Sequence, residues 1–510
     1  MKQKLATIFA IPWYPLAFCL YPPLALLAAN LSQVRLDVVW RPLLVNLIGT
    51  GIAYLVLRLI FRDADRATFA LVLELLLFFT YGHIYDLTNN WKIFGFVLGR
   101  NRALLPLWGV LFLLALWWVT RRKIAFRGYT VYLNFLSLFL LIFPLFSIFT
   151  SPKLTLDSSS APVQPAEVAS NEQQLPDIYY IILDSYGRSD LLHEVYGYDN
   201  SAFVDSLRDM GFYIADCSQS NYARTELSLA SSLNMDYLQH LNPYFIPANN
   251  TDHSPLWDLI HNSAVRISLA KKGYQIVAFA TGFPWTELTG ANVYLSPQPS
   301  GIALNEFEGM LIQTTMLRIL QNTPLLRANQ ASAENYRERT LYVFDSIGEV
   351  VRIQTPKFTF IHLIPPHPPF VFGANGEVLD QEDYPSTAGR YSDKVYRAGY
   401  IGQVAFINAR IENMVRTIIQ NSPIPPVIII QGDHGPWNLP DDKQLEILNA
   451  YYLPGHETKL YPTITPVNSF RLVLNEYLNM HLEMLDDVSY YSPYDRFYEF
   501  HEIPNTCANP

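Results

Sequence analysis

The first 150 residues contain five long apolar blocks, at roughly 5–29, 38–61, 67–87, 103–120 and 128–150. Each is near the ~20 residues a helix needs to cross a bilayer. Inside hydrocarbon the backbone must satisfy its own hydrogen bonds, so such blocks have little choice but helix. The first carries Pro12, Pro15, Pro22 and Pro23, which kink or break helices. It is too long for a signal-peptide core and reads as an uncleaved helix. The sequence therefore predicts a transmembrane domain of about five helices over residues 1–150.

Basic residues set the expected orientation, because cytoplasmic loops are enriched in Lys and Arg. Lys2 and Lys4, Arg62 and Arg66, and Arg121, Arg122, Lys123 and Arg127 fall on one side if all five blocks span. Arg35, Arg41, Lys92, Arg100 and Arg102 fall on the other. The bias is modest. It places the N-terminus in the cytoplasm and everything after the fifth block on the extracytoplasmic face of the cytoplasmic membrane. Glu74 lies inside the third block. An intramembrane carboxylate is a functional candidate; the other reading is a bundle-facing Glu bonded to a neighbouring helix. Neither gives it a catalytic role.

The formal net charge is −9. With Lys and Arg gathered in the apolar third, the remainder is more acidic than the total, which argues against a nucleic-acid partner. Of three cysteines, Cys19 lies in an apolar block. Cys217 and Cys507 either pair, if that part is extracytoplasmic, or stay as two thiols. No Cys/His zinc spacing is present.

Residues 151–176 are rich in Ser, Pro, Ala and Gln without hydrophobic period, as in a linker. From 177 to 510 strand-like runs at 178–184, 275–280, 357–363 and 426–431 alternate with helical patterns at 201–210, 225–238, 264–272, 333–352 and 392–420. That alternation predicts an α/β domain with a mostly parallel sheet, whose ligands sit beyond the carboxyl ends of the strands.

Several polar residues fall at such ends. In Pro426-Val-Ile-Ile-Ile-Gln-Gly-Asp-His-Gly435 a buried strand stops and Asp433 and His434 follow side by side. Ile178-Tyr-Tyr-Ile-Ile-Leu-Asp184 is a second apolar strand ending in a carboxylate. A lone strand-end Asp is usually a turn or cap residue; two such ends in one domain suggest a metal site. Thr225, in Asn221-Tyr-Ala-Arg-Thr225-Glu-Leu-Ser228, begins a helix. It reads either as an N-cap or as a hydroxyl facing the anion-binding N–H groups of a helix start. Ser228, Ser220 and Ser231 are its rivals. His362 and His367 stand five apart in His362-Leu-Ile-Pro-Pro-His367. His362 reads as a core histidine; His367 lies in a Pro-rich loop that exposes its polar groups. Arg188 and Arg224 flank the key stretches and either neutralise phosphate oxygens or serve the surface. His456 follows in Leu453-Pro-Gly-His456, with no assigned role.

The Asp strand, the Thr turn, the His-x4-His segment and Asp-His-Gly, in this order, resemble the alkaline phosphatase superfamily. The likeness is to membrane-anchored, sulfatase-like enzymes, among them phosphoethanolamine transferases and lipoteichoic acid synthases, over roughly residues 177–480. The resemblance implies one divalent metal held by Asp184, Thr225, Asp433 and His434, with room in the pattern for a second. Zn²⁺ or Mn²⁺ suits the set, and Mg²⁺ or Ca²⁺ is compatible with it. It implies Thr225 as nucleophile and His367 as a substrate or second-metal residue that serves the leaving group. Formylglycine sulfatases place Cys or Ser in C/S-x-P-x-R. Cys217-Ser-Gln-Ser-Asn221 and Thr225-Glu-Leu-Ser-Leu229 lack that Pro and Arg, which counts against a true sulfatase. The activity implied is transfer of a phospho-head-group, of phosphoethanolamine or phosphoglycerol type, from a membrane lipid or lipid-linked substrate. It would pass through covalent Thr225 to an extracytoplasmic glycan or lipid. A hydrolase or phosphodiesterase of the same superfamily is the near alternative. A polytopic transporter or scaffold with an inactive outer domain is the distant one; loss of Asp433, His434 or Thr225 would have favoured it.

Overall fold

Every expected apolar block forms a helix over most of its described residues. The computed structural model describes residues 11–31, 34, 36–88, 91–93, 96–97, 99–121, 127–150, 175–246, 250, 252–297, 304, 306–320, 333–354, 356–379 and 391–507. The helices are α1 (Tyr14–Ala29), α2 (Trp40–Phe61), α3 (Ala64–Thr88), α4 (Asn101–Arg121) and α5 (Arg127–Phe149). Among the described residues four helical stretches are long and apolar enough to cross a membrane, and α1, at 16 residues, is shorter than a span. The start of the first expected block lies outside the described residues, as does nearly all of the expected linker. Pro15 sits in the first turn of α1, where its missing N–H has no intrahelical partner to lose.

The chain divides into two units, residues 1–158 with 299–331, and residues 159–298 with 332–510. The first therefore holds more than the five helices. The helix Glu306–Thr314 packs on α3 so closely that a Cβ on Gly82 would meet the carbonyl oxygen of Gln313. Arg41 pairs with Glu308, and Arg318 with Asp86 at 2.9 Å. The boundaries expected from the sequence place this segment within 177–510.

In the second unit seven strands form one sheet: β1 (Ile178–Leu183), β2 (Tyr213–Ile214), β3 (Gln275–Phe279), β4 (Val293–Leu295), β5 (Lys357–Leu363), β6 (Val427–Gly432) and β7 (Asn449–Tyr452). Their spatial order is β2-β7-β6-β1-β5-β3-β4. The five strands from β6 to β4 are parallel; β7 and β2 are added antiparallel. β1, β5 and β6 are buried along their whole length, as expected of unbroken β-branched and aromatic runs in a sheet covered on both faces.

Helices α6 (Thr225–Asn234), α7 (Ala333–Arg352), α8 (Asp393–Asn421) and α9 (Pro466–Leu478) cover that sheet. Ile178, Tyr180 and Ile182 join Phe358, Phe360 and Ile429 in a core under α6 and α9. Tyr179, Ile181 and Leu183 join Ile361, Ile428 and Ile430 in a second core under α7 and α8. The two cores are the two faces of one period-two pattern. Cys217 and Cys507 form a disulfide, with Cα atoms 5.5 Å apart.

Candidate metal centre

The central strands run in register, with Ile182 opposite both His362 and Gln431. These three share one face of the sheet, and Asp184 and Asp433 follow two residues on. One ligand atom each from Asp184, His362 and Asp433 lie within 4.8 Å of one another, all three residues buried. His362 Nε2 is 3.4 Å from Asp184 Oδ2. His434 Nε2 lies 3.7 Å from Asp184 Oδ1 and the same distance from Asp433 Oδ2.

Hydrogen bonds aim these groups. The imidazole Nδ1 of His434 meets the Gly435 carbonyl at 2.7 Å. A carbonyl only accepts, so Nδ1 carries the proton and Nε2 presents its lone pair. Asp433 Oδ1 accepts from the backbone N–H groups of Ser185 and His434, both at 2.9 Å. Asp433 Oδ2 and His362 Nε2 are buried and have no hydrogen-bond partner among the described residues. A buried carboxylate oxygen without a donor is costly unless a cation satisfies it, so the donor set fits a divalent metal. Burial would raise the Asp184 pKa, but His367, His362 and His434 outweigh it and hold that carboxyl down, at about 2. It is a carboxylate at any ordinary pH.

Thr225 is the first residue of α6, and Arg224 occupies the cap position without a side-chain cap bond. The Thr225 hydroxyl instead lies 3.2 Å from His434 Nε2, so the N-cap reading of this side chain does not hold. The helix also ends earlier than expected, at Asn234, where Met235 adopts a left-handed conformation. Of the rival hydroxyls, Ser228 is buried against Ser220 Oγ at 3.1 Å. Ser220 donates to the Asp433 carbonyl at 2.5 Å, and Ser231 to the Asp236 carbonyl at 2.7 Å. None of these three meets His434 as Thr225 does. His367 is half-buried. Its backbone N–H donates to the Asp184 carbonyl at 3.1 Å, and its ring centroid is 6.5 Å from that of His434.

Other expectations divide. Arg188 is buried and engaged with Asp190 at 2.8 Å and Glu446 at 3.4 Å, a structural role. The Arg224 guanidinium carbon stands 5.6–6.0 Å from the ring centroids of Tyr494 and Tyr491. His456 pairs with Glu476 at 2.8 Å and packs on Tyr477, so it belongs to a separate cluster.

Three residues at the centre were not legible as such. His362 reads as core in the sequence, yet its Nε2 makes no hydrogen bond and faces Asp184 Oδ2 at 3.4 Å, while its Nδ1 meets Thr286 Oγ1 at 3.1 Å; such a second contact is how ligand imidazoles are oriented. Its one sequence signal was a polar residue ending an apolar strand. Thr286, fully buried, gave no signal. Ser185 has φ +62°, unusual for a non-glycine residue. Its hydroxyl lies 3.3 Å from both Asp184 Oδ1 and His434 Nδ1. A backbone outlier wedged among three candidate ligands is the kind of local strain that marks functional sites.

No protein-family model matches the chain, and no curated protein does. Solved structures do. The C-terminal periplasmic domain of phosphoethanolamine transferase EptC from Campylobacter jejuni is similar at 10% identity and a TM-score of 0.38, over 66% of this chain and 97% of that one. The corresponding domain of EptC from Escherichia coli, in complex with Zn, is similar at 12% identity and a TM-score of 0.36, over 62% and 85%. A phosphonate monoester hydrolase of Agrobacterium radiobacter is similar at 14% identity and a TM-score of 0.38, over 62% and 80%. Phosphoethanolamine transferases are among the proteins that the sequence motifs resemble.

Proposed function

We propose that the protein is a membrane-anchored, metal-dependent transferase. It takes a phospho-head-group from a membrane lipid and passes it, through a phosphate ester on Thr225, to an extracytoplasmic glycan or lipid. The observation that carries this reading is the Thr225 hydroxyl, 3.2 Å from the lone pair of His434 Nε2, beside buried carboxylates that include an orphaned oxygen. Asp184, Asp433 and His434 hold the metal with Thr225, and His362 joins them as a ligand. A bound divalent cation supplies Lewis acidity toward the Thr225 hydroxyl and charge neutralisation for a phosphoryl oxygen.

The remaining chemistry belongs to the chain. Thr225 Oγ, its proton released to solvent, forms a bond to phosphorus while the bond from phosphorus to the lipid oxygen breaks. The departing alkoxide takes a proton from Nε2 of His367 in its imidazolium form, whose other proton, on Nδ1, is held by the Pro368 carbonyl. Backbone N–H groups at the start of α6 receive the negative charge of the transferred group. An acceptor hydroxyl then attacks phosphorus, giving its proton to His367 Nε2, and Thr225 leaves and takes a proton back from solvent; water in the acceptor's place makes the same site a phosphodiesterase. The Cys217–Cys507 disulfide supports an oxidising, extracytoplasmic setting for this domain.

Quenching turnover in acid and mapping peptides by mass spectrometry tests the covalent step. A phosphate ester on the peptide bearing Thr225 is expected, and turnover by Thr225→Ala at the wild-type rate would overturn it. An impermeant amine reagent applied to intact cells should label the exposed Lys271 and Lys272. Labelling only after membrane rupture would reverse the orientation.

A further inference from the structure

A second candidate site lies in the N-terminal unit. α2, α3 and α4, with Met316 and Leu317, line a cavity of about 560 Å³ that is open on one side, within the range of small-molecule pockets. Its lining is mostly apolar, with three polar side chains, Asn46, Thr50 and Glu74. Asn46 already donates to the Cys19 carbonyl at 3.3 Å. Glu74 Oε1 is buried and has no hydrogen-bond partner among the described residues. The expected alternative, a Glu bonded to a neighbouring helix, is therefore not what this oxygen shows. A carboxyl group among spanning helices is expensive unless something meets it. Two glycines, Gly49 and Gly109, also line the cavity, and a Cβ on either would touch nothing within 4 Å. The space is open on both helices that carry them.

The outer surfaces of α2 and α4 expose Ile48, Ile52, Leu55, Val110 and Leu113, the surface of helices solvated by hydrocarbon. An occupant of the cavity is therefore drawn from the bilayer, and it must bring a hydrogen-bond donor to Glu74. We propose that the cavity holds one aliphatic chain of a membrane lipid, and that Glu74 accepts a hydrogen bond from a hydroxyl or amide N–H carried on that chain. The site is independent of the metal centre and of the reading given to it. Its ligand class is a lipid with a hydroxylated or amide-linked chain.

The full-length protein in lipid nanodiscs tests this with two phosphatidylcholine probes. Both carry a diazirine on one acyl chain, and one also carries a mid-chain hydroxyl. After irradiation, labelled peptides of α2, α3 and α4 are quantified by mass spectrometry. The hydroxylated probe is expected to label about threefold or more above the plain one, the size of a single hydrogen bond between groups inside a bilayer. Glu74→Leu should erase that preference and leave plain-probe labelling. Gly49→Phe and Gly109→Phe should each reduce labelling by both probes. Gly51→Phe should not: Gly51 also meets nothing within 4 Å but does not line the cavity. Circular dichroism checks that each variant keeps its helices. The proposal fails if wild type shows no preference, if the preference survives Glu74→Leu, or if folded Gly49→Phe and Gly109→Phe label as wild type does.

Discussion

Gly432 ends β6 immediately before Asp433, and its lack of a side chain is a geometric requirement. A Cβ there would stand 2.4 Å from the Tyr186 carbonyl oxygen and 3.3 Å from Ile447 Cβ. Real Cβ contacts essentially never fall below 3.0 Å, so Gly432→Ala must open at least about 0.6 Å between the two segments. The Tyr186 oxygen has little room to retreat, because it accepts the Leu448 N–H at 3.1 Å, while the Gly432 N–H donates to the Leu448 carbonyl at 2.8 Å. The displacement therefore falls on Ser185 and Asp433, which are joined by a hydrogen bond of 2.9 Å. Overpacking of this kind costs about 1–3 kcal/mol, which a domain of this size survives. The site is less tolerant, since a misplacement of about 1 Å costs about a hundredfold in rate. We expect Gly432→Ala to fold, to lose tenfold to a hundredfold in phosphodiester turnover, and to bind metal more weakly. Denaturant midpoint, turnover and elemental analysis of the purified full-length protein measure the three separately. Wild-type turnover and metal content in the folded variant would refute the reasoning, because the close approach would then not hold the site.

The Asp184 carboxyl is held at about 2, below its ordinary 3.8, so it stabilises the folded state above about pH 4 and loses that contribution as pH falls toward 2. In metal-free protein the acid-side loss of stability over this window should flatten in Asp184→Asn, as followed by denaturant titration at each pH. Lys357 is fully buried with its ammonium 2.5 Å from Asp177 Oδ2. Asp177→Ala should destabilise by about 3–5 kcal/mol, and adding Lys357→Met should recover much of it; equal midpoints for the single and double variants would show the pair is not the cause. Denatured but unreduced protein should present one alkylatable thiol, Cys19, and reduced protein three. Removing the bridge with Cys507→Ser should lower stability by up to about 5 kcal/mol, given the long loop it closes.

The fully buried strands are legible because each carries a run of β-branched, aromatic or leucine residues: Ile178–Leu183 in β1, Phe358–Ile361 in β5 and Val427–Ile430 in β6. β2, β4 and β7 were missed because they are two to four residues long, too short for alternation to register. α9 was also missed; its residues Pro466–Leu478 are so largely buried that a polar face hardly shows. Asp184, Asp433, His434 and Thr225 could be singled out because strand ends and helix starts announce themselves in sequence. The contacts that aim them could not. Thr286 is 76 residues from His362, and Ser185 acts through a backbone conformation that no residue type specifies.

The segment 299–331 leaves the globular unit and returns to it while its described residues pack with the N-terminal helices. The chain therefore passes between the units three times, near 158, 298 and 331. A single protease cut in the stretch after α5 would not shed the globular unit, which would remain tied by two further strands of chain. A fragment begun at residue 177 would have the opposite problem. It would carry Phe307 and Met316 without the N-terminal helices they pack against, and would be soluble only if that excursion were excised as well.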